Sequence, residues 1–149
     1  ATFRTAMQIA LMLSRALPGV EFLRMTIALN WPGNPYKTTN NASTALVFAV
    51  RPHRVNDLID QFTTLAQRYT ISEDTGMVVR NGVQMPDPLL QYAKQVKSTL
   101  VDVSQTYHTA DTVNATLIPV TGKRGLIGAL VAVGLVDHPT TAITPIKHV

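Results

Sequence analysis

The sequence predicts an α/β (α+β) domain, a mixed sheet with helices packed on it, in an order that allows a ferredoxin-like element. Three observations lead there. Apolar residues recur at helical spacing in several separate stretches, from Phe3, Met7, Ala10 and Leu11 near the start to Leu89, Ala93, Val96 and Leu100 later on. Short β-prone runs lie between those stretches. The chain has 149 residues, 46% of them apolar, which is enough to bury a core.

Each element has its own signal. Phe3, Met7, Ala10, Leu11 and Leu17, with Ile9 and Leu13 broadening the stripe, predict a helix of about four turns buried on more than one side. Pro18-Gly19 stops it. From Val20 to Asn30, Leu23, Met25, Ile27 and Leu29 alternate with Arg24 and Thr26, which predicts a strand with one wet or partly wet face. Residues 31–42 hold two prolines, a glycine and several asparagines and form a long loop. Thr44 to Val50 is apolar on both faces, as a central strand would be. Val55, Leu58, Ile59, Phe62, Leu65, Ala66 and Tyr69 mark a second helix.

Further along, Asn81-Gly82 between Met77 and Met85 predicts a hairpin. Asp87-Pro88 predicts an N-cap with proline at the first helical position, opening a helix with Leu89, Ala93, Val96 and Leu100 on one face. Residues 101–113 fit no single template. Ala115 to Val120 predicts a strand, with Pro119 at its end or at a sheet edge. Gly125 to about Val136 has no charge before Asp137 and predicts a buried helix. Its Gly128, Ala129, Ala132 and Gly134 give it a small face for close packing. The expected organisation is one domain over 1–137 and a tail over 138–149.

Composition narrows the function classes. There is no cysteine, so there is no disulfide framework, thiolate zinc site or iron–sulfur cluster, and nothing suggests haem. His53, His108, His138 and His148 lack metal-ligand spacing, so zinc is not expected. Gln8, Ser14 and Arg15 interrupt the N-terminal apolar stretch, which predicts neither a membrane span nor a signal peptide and points to the cytoplasm. A net charge of +4 suits an anionic partner such as a nucleotide or RNA, and equally a protein that merely lies on the basic side.

Three segments could carry chemistry. In Thr121-Gly122-Lys123-Arg124-Gly125-Leu126-Ile127-Gly128, a strand runs into a helix. Helix-start amides without internal partners, glycines that permit close approach, and two cations would together cradle a phosphate. The alternative is a tight basic turn with a capping glycine. The spacing is not that of a Walker A loop. In Asn34-Pro35-Tyr36-Lys37-Thr38-Thr39-Asn40-Asn41, Lys37 offers a point charge, and Thr38 and Asn41 offer polar groups to a phosphate or polar substrate. An ordinary polar turn is the competing account. Glu73 and Asp74 are adjacent acids suited to magnesium, or to a solvated turn. Trp31 and Tyr36 could stack on a base or anchor their loop.

As an ordered set, these segments resemble the archaeal enzyme that joins agmatine to the anticodon cytidine of an isoleucine tRNA. Leu29, Asn30, Asn34, Pro35, Lys37, Thr38 and Asn41 match its Asn-x-Asn-x-Pro-x-Lys-Thr-Arg-Gly-Asn segment. Gly122, Arg124, Gly125, Ile127, Gly128, Ala129 and Leu130 match its later Gly-Arg-Gly-x-Ile-Gly-Ala-Leu segment. The sequence is more similar still to the methanogenesis marker protein of the eleventh type. That likeness adds the start Ala1-Thr2-Phe3, Ser43-Thr44 and the stretch from Tyr69 to Met77.

The resemblance implies a nucleotide-dependent phosphoryl-transfer or ligase-type protein related to tRNA cytidine modification, with ATP and magnesium as cofactors. Gly122, Lys123, Arg124, Gly125, Gly128, Thr38 and Asn41 would hold the nucleotide, and Glu73 and Asp74 the metal. Lys37 would be catalytic, together with a phosphorylated threonine falling near Thr2 to Thr5, taken here as Thr5. Both families carry an acidic Asp-Asp-Thr-Asp stretch ahead of the first helix that this sequence does not show. It is therefore expected to be the later part of a longer chain or a member without that stretch. Thr39 and Asn40 also stand where the tRNA enzymes have Arg-Gly. The alternative is a non-catalytic nucleotide- or RNA-binding module, or a partner subunit or homo-oligomer.

Overall fold

The computed structural model describes residues 2–29, 33, 42–70, 72–138 and 142–143. Helix α1 (Thr2–Ala16) ends where Gly19 takes a φ of +84°, a left-handed conformation that a side chain resists. Strand β1 (Val20–Leu29) then pairs antiparallel with β2 (Ala42–Val50), and the register shifts between Phe22 and Arg24. A 3-10 turn at Pro52–Arg54 leads into α2 (Val55–Tyr69). Strand β3 (Gly76–Val79) is followed by α3 (Asp87–Val96), α4 (Val103–Thr112), β4 (Thr116–Pro119) and α5 (Gly125–Gly134). Two residues of the expected tail, Ala142–Ile143, form β5 against Ala28 and Ile27 of β1. The α+β class expected from the sequence is the observed one.

Among the described residues the strands form two ladders, β2-β1-β5 and β3-β4. Both belong to one middle layer. On one face Ala28, Ala45, Val78 and Leu117 join the core of α3, α4 and α5. On the other, Val20, Phe48, Met77 and Val120 join the core of α1 and α2. Adjacent residues Met77 and Val78 enter opposite cores, as the two-residue period of a strand requires.

The structure sharpens one expectation and corrects two. The face of β1 expected to be wet or partly wet is partly so: Arg24 is exposed, whereas Thr26 is 3% exposed and Ala28 1%, because helices cover both sides of the sheet there. The Asn81-Gly82 hairpin does not form. β3 instead pairs with β4, Met77 opposite Ile118 and Val78 opposite Leu117. Only Val83, Gln84 and Met85 separate Gly82 from Pro86, too short a run for a return strand, and Val83 is 96% exposed. The turn is held instead by the Arg80 guanidinium, which donates to the Gln84 carbonyl at 2.6 Å. Finally, the helix α3 begins one residue earlier than expected, with Pro86 at its cap position and Asp87 in its first turn.

The ambiguous stretch 101–113 is the helix α4. The Asp102 carboxylate caps it by accepting from the Gln105 amide at 3.0 Å. At the other end Asn114 has a φ of 56°, and the Ala115 amide reaches back to the Ala110 carbonyl at 2.9 Å. Between α3 and α4, the Tyr92 hydroxyl meets the fully buried Thr106 hydroxyl at 2.5 Å. Burial pushes the Tyr92 phenol up to about 12.

Candidate functional site

The Gly122–Gly125 turn sits where the sequence places it, between β4 and α5. Its backbone packs against the turn at 72–76, 46 residues earlier. The Thr75 carbonyl accepts from the amides of Val120, Thr121 and Gly122 at 3.1, 3.0 and 3.3 Å, and the Asp74 carbonyl accepts from Gly125 at 2.8 Å. The Thr121 hydroxyl donates to the Ser72 carbonyl at 2.7 Å and accepts from the Thr75 amide at 2.9 Å. The next helical amides, Leu126 and Ile127, bond to the Lys123 and Arg124 carbonyls.

The glycines have a structural reason to be there. A Cβ on Gly122 would stand 2.5 Å from an Asp74 carboxylate oxygen, and one on Gly125 would stand 2.5 Å from the Asp74 carbonyl. A Cβ on Gly76 would meet the Leu126 nitrogen at 2.6 Å. Two backbones thus meet with no room for side chains. The amides of Gly122 and Gly125 donate within the protein, so the charge the turn offers outward is carried by the Lys123 and Arg124 side chains.

Arg124 lies 3.7 Å from the Asp74 carboxylate, with their side chains 60% and 43% exposed. So exposed a pair adds little stability and can open toward a ligand. The turn and the acids, separate in the sequence, are therefore one junction holding Glu73, Asp74, Gly122, Lys123, Arg124 and Gly125.

Beside the junction lies a cleft of about 1810 Å³, bounded by β2, β3, α1, α2 and α5. Thr5, Asp74, Arg124, Gly125 and Gly128 all line it; Glu73, Gly122 and Lys123 do not. Lys37, Thr38 and Asn41, with Trp31 and Tyr36, lie outside the described residues, although Leu29 and Ala42 on either side of that segment line the cleft. Among the described residues, no three or more His, Asp or Glu side chains gather as a metal-ion cluster.

Other polar groups at this cleft are not among the residues singled out from the sequence. Arg24, Arg80 and Asp102 line it as well. Arg24 pairs with Asp137 and donates to the Val136 carbonyl at 2.9 Å. Among the described residues the buried Arg80 Nε has no hydrogen-bond partner. Lys97 donates to the Leu29 carbonyl at 2.9 Å, fixing the end of β1 from which residues 30–41 depart, and burial pulls its ammonium below the usual lysine range. Only Asp102 had a local signal, the spacing Asp102-x-x-Gln105 of a capping box.

No family model matches the chain. It is 34% identical over 121 residues to an uncharacterized protein of Methanocaldococcus jannaschii, a match covering 81% of this chain and 40% of that protein. Its fold is similar to the crystal structure of a tRNA fluorescent labeling enzyme, with a TM-score of 0.73 and 21% identity, over 89% of this chain and 31% of the other. The chain thus spans less than half the length of either protein. At that identity the second likeness shows a shared fold. No helix among the described residues is long and apolar enough to cross a membrane.

Proposed function

We propose that this chain is the nucleotide-binding portion of a protein that modifies tRNA by ATP-dependent phosphoryl transfer or ligation. The observation that carries the reading is the gathering of Thr5, Asp74, Arg124, Gly125 and Gly128 on one cleft. The fold shared with a tRNA fluorescent labeling enzyme and the net charge of +4 support the RNA side of it.

Phosphoryl transfer asks a protein for positioning and charge neutralisation more than for covalent groups. In this reading Arg124 turns from Asp74 to the phosphates, its planar fork matching two oxygens, and Lys123 adds charge behind it. Thr5, on the first turns of α1, offers a hydroxyl at the same cleft and is the acceptor side chain of this scheme. Lys37, Thr38 and Asn41 orient the nucleotide or the acceptor. Magnesium normally binds through one or two carboxylates plus substrate phosphates, so Asp74, seconded by Glu73, fits an ion that arrives with ATP. When bound, that ion would neutralise phosphate charge. The active site would be in the cytoplasm, where ATP and tRNA meet.

Calorimetry of ATP–magnesium binding tests the assignment. Arg124→Ala is expected to weaken binding about tenfold or more, the value of one charge-assisted contact. Equal affinity for both proteins, or no binding by either, removes the phosphate role. A second reading, a nucleotide-binding module without catalysis, is favoured by the absence of a third carboxylate at the junction among the described residues. It predicts binding without any phosphoryl release or transfer to Thr5.

A further inference from the structure

Helix α1 has two faces of opposite character. Ile9, Leu13 and Leu17 at its end enter the core shared with α2 and the sheet. Arg4, Gln8, Leu11, Met12 and Arg15 fall at i, i+4, i+7, i+8 and i+11, within about 100° of one another around the axis, and all five are exposed. Four of them, Gln8, Leu11, Met12 and Arg15, line one open groove with Ala16.

The exposed stripe begins beside the cleft. Phe3 and Thr5, on either side of Arg4, line the cleft, and Arg4 does not. Arg15 lies about 17 Å further along the axis. Beyond it the helix closes at the Gly19 turn, where Arg51 joins. The Arg51 amide donates to the Gly19 carbonyl at 2.9 Å, and a Cβ on Gly19 would stand 3.0 Å from the Arg51 Cδ. Arg51 is exposed as well. Three arginines thus mark a track from the edge of the cleft to the turn that ends α1.

No acid interrupts the track within α1, since Glu21 is the first acidic residue of the sequence. Its neighbour Val20 enters the core under α1, so the two-residue period of a strand turns Glu21 to the other face of the sheet. α2, packed beside α1, adds Asp60 and Asp57, the latter already paired with Arg54 at 3.1 Å. Cations therefore stay in excess.

The composition of the face selects its partner. Arginine presents a planar fork that takes two phosphate oxygens, and the track contains no lysine. A stable protein interface needs roughly 800 Å² on each partner with an apolar centre. This face offers two large apolar side chains, Leu11 at 41% exposure and Met12 at 48%. Affinity must come from charge, as it does for a polyanion. We infer that the outer face of α1, with Arg4, Arg15 and Arg51 as its contacts, docks an RNA phosphate backbone and lays it beside the cleft, Leu11 and Met12 lying against ribose and base. The inference rests on the RNA side of the proposed function and not on nucleotide binding in the cleft.

Fluorescence anisotropy tests it, with a labelled RNA hairpin whose stem has about 16 base pairs, read across a salt series. Binding by the 149-residue chain should weaken steeply as salt rises. Arg4→Gln, Arg15→Gln and Arg51→Gln together should reduce the slope of log affinity on log salt by about 2 to 3, and affinity at low salt by at least about tenfold. Lysine at the same three positions should restore the slope, because the charges return. Lys94→Gln, an exposed charge on α3 in the opposite layer, should change neither value. The inference is overturned if the parent chain does not bind the hairpin, or if the triple glutamine variant binds like the parent. It is overturned equally if Lys94→Gln costs as much as Arg15→Gln alone, which would make net charge the cause. Displacement of the hairpin by poly-glutamate at equal charge would reassign the face to an acidic protein. The triple glutamine variant should still bind ATP–magnesium as the parent does, and loss of both ligands would also overturn the inference. A parent that binds the hairpin but no ATP removes the nucleotide reading and leaves the track standing.

Discussion

Leu130 on α5 and Leu46 on β2 are the same side chain in similarly apolar stretches, and they meet different fates. Leu130 is completely buried among Leu89, Ala93 and Leu135 in the layer of α3, α4 and α5. Leu46 is half-buried and lines the cleft. The helical layer satisfies its apolar pattern from within the chain, whereas the seam between β2 and β3 does not. Apolar patterning therefore reports what a residue is built to contact, and a mismatch with observed burial marks where a contact is lacking.

That contrast can be broken by mutation. Leu130→Ala should destabilise by about 3–4 kcal/mol, the transfer loss plus an unrelaxed cavity. Leu46→Ala should cost about 1 kcal/mol or less in the 149-residue chain, since water already reaches it. Urea denaturation of both variants measures the difference, and equal costs would erase the distinction between the regions.

The helical layer also carries a titration signature. The Tyr92 phenol stands near 12 in the folded chain against 10 when unfolded, so the fold favours its protonated form. That contribution is complete below pH 10 and is lost as pH rises toward 12, a loss of about 2–3 kcal/mol. Stability measured at pH 9 and at pH 11.5 should show it, and Tyr92→Phe should flatten the slope.

A smaller effect is expected at the α4 cap. Asp102→Ala should lower stability slightly, through loss of the cap. The hydrogen bonds from the Ser104 hydroxyl and the Gln105 amide hold the Asp102 carboxyl below its ordinary range. Its contribution is therefore present above that range and disappears as pH falls through the lowered value. Denaturation at pH 7 and in acid should show the variant and the parent converging.

Much of the architecture was legible in the sequence because it rests on local chemistry. The 3.6-residue period of 55–69, the stop at Pro18-Gly19 and the charge-free run after Gly125 each specify an element without reference to the rest. The failures were non-local. Asn81-Gly82 promised a hairpin, but β3 found its partner at 116–119, which no local rule could locate. Thr26 looked solvent-facing because nothing in residues 20–30 announces that helices cover both sides.

The candidate site divides in the same way. The sequence identified the basic turn and the acidic pair separately, but not that Gly122 and Gly125 are small in order to admit Asp74. It could not show that Thr5 and Gly128 share a cleft with them, since α1 and α5 are brought together only by folding.

The joint between 72–76 and 121–125 has a practical consequence for anyone dividing this protein. Two turns bonded through Thr75, Thr121, Asp74 and Gly125 form a clasp whose halves come from different parts of the chain. A fragment ending anywhere between them keeps one jaw and loses the other. A chain opened at the exposed tip near Val83 keeps both jaws, one on each piece, with β3 and β4 to align them. Reassembly of two such pieces in solution would make the clasp, rather than the peptide bond, the thing that joins the halves.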